Sequence, residues 1–138
     1  MRNSRVLIID DSSTIRAMVE ELLATQARCH EIATAPDVPT ARALMASFYP
    51  TIITLDLNMP GIDGLKLLDE LRGYPHAPIV VVSSASTDGS EAANEAIEHG
   101  AHACFDKSKI ISESKRFIRT LKKASVVKLR ATRALQAA

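Results

Sequence analysis

Short runs of consecutive apolar residues alternate along the chain with segments in which apolar positions recur every three or four residues. The runs Val6 to Ile9, Thr51 to Leu55, Ile79 to Val82 and the weaker Ala103 to Phe105 have the length of strands buried on both faces, and Glu31 to Ala33 is a plausible fifth. Ser12 or Ser13 can cap a first helix, whose positions Ile15, Met18, Val19, Leu22 and Leu23 line one face. Asp37 can cap a second, with Pro39 tolerated in its first turn and Ala41, Leu44, Met45 and Phe48 directed inward. Leu65, Leu67, Leu68 and Leu71 mark a third helix, stopped by Gly73 and Pro75. Ser90 starts a fourth, through Ala93 and Ile97 to the stop at Gly100, and Phe117, Ile118 and Leu121 define a fifth. Strand and helix taking turns predict an α/β fold, a parallel sheet covered by helices on both faces, because parallel strands need a crossover and that crossover is right-handed.

At 138 residues and 46% hydrophobic content, the chain has room for one domain with a substantial core. Its net charge of +1 argues against nucleic acid as the main partner, but after Glu113 every charged residue is basic. No segment approaches the roughly 18 apolar residues needed to span a bilayer, and the start of the chain has no apolar signal-peptide core. A cytoplasmic protein with no membrane partner is expected. Cys29 and Cys104 lack metal-ligand spacing and read as small core residues. His30, His76, His99 and His102 read as surface or boundary residues.

The candidate chemistry sits where strands end. In open α/β sheets ligands bind beyond the carboxyl ends of the strands, where strand order reverses. Asp10 and Asp11 follow the first strand, Asp56 ends the third, Ser83 follows the fourth and Lys107 the fifth. Each residue has a plainer reading: the acidic pair as a helix-capping turn, Asp56 as a turn former before Pro60, Lys107 as a solvated loop residue. Their joint occurrence at strand ends favours one site. Converging carboxylates repel, and a divalent cation relieves that repulsion. Magnesium fits oxygen ligands best, with Asp10, Asp11 and Asp56 as carboxylate ligands and the Asn58 backbone carbonyl as another. Metal, Lys107 and a hydroxyl then suffice for phosphoryl transfer to Asp56 as nucleophile.

The Asp10-Asp11 pair, Asp56 with Met59-Pro60-Gly61-Ile62-Asp63-Gly64, Ser83 after Pro78 to Val82, and Lys107 resemble the response-regulator receiver domain of two-component signalling over roughly residues 5 to 123. The resemblance implies a CheY-like, flavodoxin-like doubly wound (βα)5 fold with strand order 2-1-3-4-5. It implies that Asp56 accepts phosphate, Asp10 and Asp11 hold the metal, Ser83 bonds the phosphoryl oxygen and Lys107 pairs with it. Thr54-Leu55-Asp56, the Met59 to Leu65 turn and Ser83-Ser84 are also similar to the receiver half of the chemotaxis methylesterase CheB. The implied partners are a histidine kinase or phosphotransfer protein upstream and a protein target or fused output domain downstream. The chain would act as a monomer or a phosphorylation-dependent dimer. On this reading residues 1–123 form the receiver, and 124–138 a basic tail that extends the last helix or serves as a linker. The enzyme alternative is a magnesium-dependent phosphohydrolase with an aspartyl-phosphate intermediate. Such enzymes generally carry a second acid two residues after the nucleophile, and here that residue is Asn58.

Three positions depart from the family pattern. Ser83 stands where threonine is usual, and its hydroxyl offers the same bonding. Lys107 is followed by Ser108 rather than a proline, so a trans bond and a differently shaped loop are expected. The family's switching aromatic falls at Cys104, so either the neighbouring Phe105 substitutes for it or output is read from another surface.

Overall fold

The computed structural model describes residues 1–61, 63–73, 76–84 and 90–137. Five strands and five helices alternate: β1 (Arg5–Ile9), α1 (Ser13–Gln26), β2 (Glu31–Ala35), α2 (Val38–Ser47), β3 (Ile52–Asp56), α3 (Gly64–Arg72), β4 (Ile79–Ser83), α4 (Ser90–Glu98), β5 (Ala103–Asp106) and α5 (Ser114–Ala137). All strands are parallel, in the order β2-β1-β3-β4-β5. The flavodoxin-like order implied by the resemblance is the one observed.

Alternation along each strand explains why the runs are apolar throughout. Val6 and Ile8 of β1, Ile52 of β3 and Val80 and Val82 of β4 pack beneath α1 and α5 with Val19, Leu23, Phe117 and Leu121. The intervening residues Leu7, Ile9, Ile53, Leu55, Ile79 and Val81 pack on the other face, beneath α2, α3 and α4. Either face exposed to water would forfeit about 1.5 to 3 kcal/mol for each large aliphatic side chain, so helices must cover both.

The helix starts obey simple capping chemistry. Ser12 accepts a bond from Ile15 N, Asp37 from Thr40 N, and Asp63 from Leu65 N and Lys66 N. Pro75 lies outside the described residues, and Gly73 caps the end of α3. In α4, Ala96 is buried whereas Ile97 is 46% exposed. Cys29 is fully buried, but Cys104 is only partly so. After β5 the chain takes a 3-10 turn, Lys107–Lys109, and no described peptide bond is cis. Helix α5 continues unbroken to Ala137, and its last buried residue among those described is Ala124.

Candidate functional site

The carboxyl ends of β1, β3 and β5 use one local device. Asp10 Oδ1 accepts from Ser12 N at 2.9 Å, Asp56 Oδ1 from Asn58 N at 2.9 Å and Asp106 Oδ1 from Ser108 N at 2.9 Å. Each aspartate thus turns its own backbone two residues on, which ends the strand and fixes one carboxylate oxygen. For Asp10 and Asp56 the second oxygen remains, and both Oδ2 atoms meet the same ammonium group. Lys107 Nζ lies 2.9 Å from Asp10 Oδ2 and 3.1 Å from Asp56 Oδ2.

Register explains the meeting. Ile9 pairs with Leu55 across β1 and β3, so the next residues, Asp10 and Asp56, emerge side by side. Both are almost wholly buried, at 3% and 2% exposure, while Asp11 is exposed at the rim. Ligand oxygens of the three lie within 4.8 Å of one another. Hard oxygen donors at this spacing, partly dry and partly open to solvent, suit a divalent cation that keeps some of its water. Asn58 is exposed beside them, in the turn that carries Asp56 away from the sheet.

Burial is the largest influence on Asp56 and raises its pKa above the ordinary carboxylate value, with the neighbouring Asp10 charge adding to it. The Asn58 N–H and Lys107 pull the other way without cancelling it. Burial works against the charged form of Lys107, but its bonds to Asp10 and Asp56 and their charges outweigh that and hold its pKa above normal. Lys107 is therefore the shared cation of two buried carboxylates in a partly dry crevice, with Asp56 the burdened member.

Ser83 ends β4, one residue beyond Val82, which is in register with Asp56. Its hydroxyl donates to its neighbour's carbonyl, Ser84 O, at 3.3 Å. The turn leaving Asp56 is shaped by two glycines. Gly61 has φ +72°, the left-handed region, and a Cβ on Gly64 would stand 2.6 Å from Leu57 Cδ2 and 3.0 Å from Leu57 Cα. Leu57 directly follows Asp56, so the closeness of Gly64 sets where the aspartate loop lies.

One contributor escaped the sequence reading. Arg16 Nη1 donates to the Asp10 backbone carbonyl at 2.6 Å and pins the acidic turn from the first helix. Its place in the first turns of α1 after an acidic pair was the available signal. Phe105 is 4% exposed and packs edge-on against Phe117, with ring centroids 5.1 Å apart, and Arg116 covers its other side 4.6 Å from the centroid. Phe105 is therefore a core residue of the α1/α5 face and does not take over the role of a ring at position 104.

The family profile of the response regulator receiver domain matches residues 6–119. A protein-glutamate methylesterase/protein-glutamine glutaminase from Shigella boydii is 41% identical over 101 residues, covering 73% of this chain and 32% of that protein. This chain thus spans about a third of the length of such curated relatives. Among solved structures, the response regulator domain of Thermotoga maritima CheB superposes with a TM-score of 0.78 at 23% identity, over 88% of this chain and 96% of that one. NtrX from Brucella abortus, solved in complex with ATP, superposes with a TM-score of 0.82 at 29% identity, over 99% of this chain and 29% of its own. No helix among the described residues is long and apolar enough to cross a membrane.

Proposed function

Because the chain belongs to the response-regulator receiver family, we propose that Asp56 is its phosphoacceptor and that the domain converts the acquired charge into a change of protein binding. The observation that carries this reading is the buried Asp56 carboxylate, with Oδ1 held by Asn58 N, Oδ2 by Lys107, and Asp10 and Asp11 oxygens within 4.8 Å. An Asp56 oxygen attacks the phosphorus of a phosphohistidine. The new O–P bond forms as the P–N bond breaks, and the electron pair returns to the imidazole, which takes up a proton. Asp10, Asp11, Asp56 and the Asn58 carbonyl would hold Mg2+, which supplies charge neutralisation for the phosphoryl oxygens. Lys107 pairs with one of those oxygens, and the Ser83 hydroxyl turns from Ser84 O to bond another. Such positioning and charge stabilisation account for most of what phosphoryl transfer requires of a protein.

The upstream partner in this reading is a histidine kinase or phosphotransfer protein, and the likeness to protein-glutamate methylesterases favours chemotaxis-type signalling. Downstream stands a protein target or a fused output domain. Turnover as a phosphohydrolase is disfavoured by Asn58, whose amide is far too weak an acid to protonate a leaving group. Incubation with magnesium and acetyl phosphate tests the reading. A mass increase of one phosphoryl group, lost in Asp56→Asn, is expected. Multiple turnover of phosphate esters, or no labelling at all, would overturn it.

A further inference from the structure

We propose that the cleft between α2 and α3 binds a small planar aromatic molecule carrying a polar hydrogen, of the indole or phenol class. The cleft opens at the amino ends of β3 and β4, the edge of the sheet opposite to Asp56, and has a volume of about 510 Å3. Clefts that hold small organic molecules run from about 300 to 1,000 Å3. Its floor is Ile53 of β3 and Leu67 of α3, both buried, and its walls include Met45 of α2 and Leu71 of α3, both half-buried. The site is independent of the role assigned to Asp56.

The apolar lining favours an aromatic ring. Tyr49 stands at the rim with 73% exposure, on a backbone whose φ is +55°. A bulky residue in the left-handed region is uncommon, and a turn that needed only the bend would cost less with glycine or asparagine. Arg5 holds the preceding residue in place: its Nε donates to Phe48 O at 2.7 Å, and its guanidinium lies 4.4 Å from the Phe48 ring centroid. Tyr49 thus presents a ring from an anchored backbone beside an apolar cleft. Together with the polarisable Met45 thioether it favours a flat aromatic ligand over a branched aliphatic one, because ring–ring and sulfur–ring contacts add to simple burial.

The polar rim selects a hydrogen-bond donor. His76 lines the cleft, and its Nδ1 lies 2.6 Å from Ala77 O. A carbonyl oxygen only accepts, so that nitrogen carries the proton, and Nε2 of the neutral ring is left as an acceptor. Arg42 of α2 and Glu70 of α3 pair across the mouth. An anionic ligand would have to break that pair or lie beside the Glu70 charge. An N–H or O–H can donate to Glu70 or His76 with the pair intact.

The test is a titration of the full chain with indole, followed in methyl NMR spectra of labelled methionine and leucine. Saturable shifts at Met45, Leu67 and Leu71 are expected, with a Kd below about 1 mM. N-methylindole keeps the ring but lacks the N–H, and should bind about tenfold more weakly because a rim acceptor loses its partner. Octanoate, an apolar chain with an anionic head, should not compete. Ala46→Phe, a substitution at an exposed position of the cleft wall, should abolish binding without lowering the melting temperature. The proposal is overturned if indole shows no saturation, if N-methylindole or octanoate binds as tightly as indole, or if binding survives in Ala46→Phe. Sedimentation of the chain alone addresses the rival occupant. A dimer that Tyr49→Ala dissolves would assign the cleft to the ring of a second copy, and would overturn the proposal too.

Discussion

Replacing Asp56 by asparagine should make the metal-free protein more stable. Ligand oxygens of Asp10, Asp11 and Asp56 lie within 4.8 Å of one another, so each ionised pair repels by about 3 kcal/mol at an effective dielectric constant near 20. Asp56 belongs to two such pairs. Against them stands its attraction to Lys107 Nζ at 3.1 Å, about 5 kcal/mol on the same scale. Removing the charge therefore relieves about 1 to 2 kcal/mol before the cost of burying a carboxylate is counted. Asparagine keeps an oxygen for the Asn58 N–H, so the turn survives. Urea unfolding at neutral pH in the presence of a chelator should show a higher midpoint for Asp56→Asn, and thermal unfolding a rise of roughly 3 to 8 °C. The pH dependence has a definite sign. Burial, then the Asp10 charge, raises the folded pKa of Asp56 above its unfolded value, so in the window between the two values the native state binds more protons than the unfolded chain. The burden on the parent is full above the folded pKa and is relieved as pH falls through it, so the advantage of the variant must shrink on acidification. A variant less stable than the parent in chelator at neutral pH, or an advantage that grows as pH falls, would refute the reasoning.

Lys107→Met leaves buried Asp10 and Asp56 without their shared cation and should cost about 3 to 5 kcal/mol in chelator, much of it recovered on adding Mg2+; thermal melts with and without the metal measure both. Gly64→Ala brings a Cβ to 2.6 Å from Leu57 Cδ2, so it should destabilise by about 1 to 3 kcal/mol in urea and slow acetyl phosphate labelling of Asp56 by displacing the loop that carries it.

The sheet was legible because both of its faces are covered. Val6 to Ile9 and Ile79 to Val82 are apolar at every position, which only a strand between two helical layers requires. Side-chain phase in α4 was harder, since the face is set by alanines. Ala96 fits against β5 and its neighbours, and the larger Ile97 is left at the uncovered edge. The carboxylates could be placed from sequence because Asp10, Asp11 and Asp56 sit at strand ends, where the topology gathers them. Their partners across elements could not. The Arg16 bond to the Asp10 carbonyl and the Arg116 cover on Phe105 depend on rotamers of long side chains, and no periodicity records a rotamer. Position without direction was also all that could be read for Ser83, whose hydroxyl turns to its neighbour's carbonyl. The same limit applied to Phe105. Its place beside Cys104 suggested a substitute ring, but strand alternation sends the two side chains to opposite faces.

The pairing of β1 with β3, and of β4 with β5 at the far side of the sheet, has a consequence for the growing chain. Asp10, Asp56 and Lys107 are brought together only by contacts between segments far apart in sequence, the kind that form late and slowly in folding. A nascent chain that has emerged through β3 already holds all three carboxylates but not the cation that reconciles them, and electrostatic repulsion disfavours their convergence. The crevice is complete only once the segment carrying Lys107, which follows the edge strand β5, has docked. A truncated or half-synthesised copy that ends before Lys107 carries the acidic cluster without the cation that bridges it.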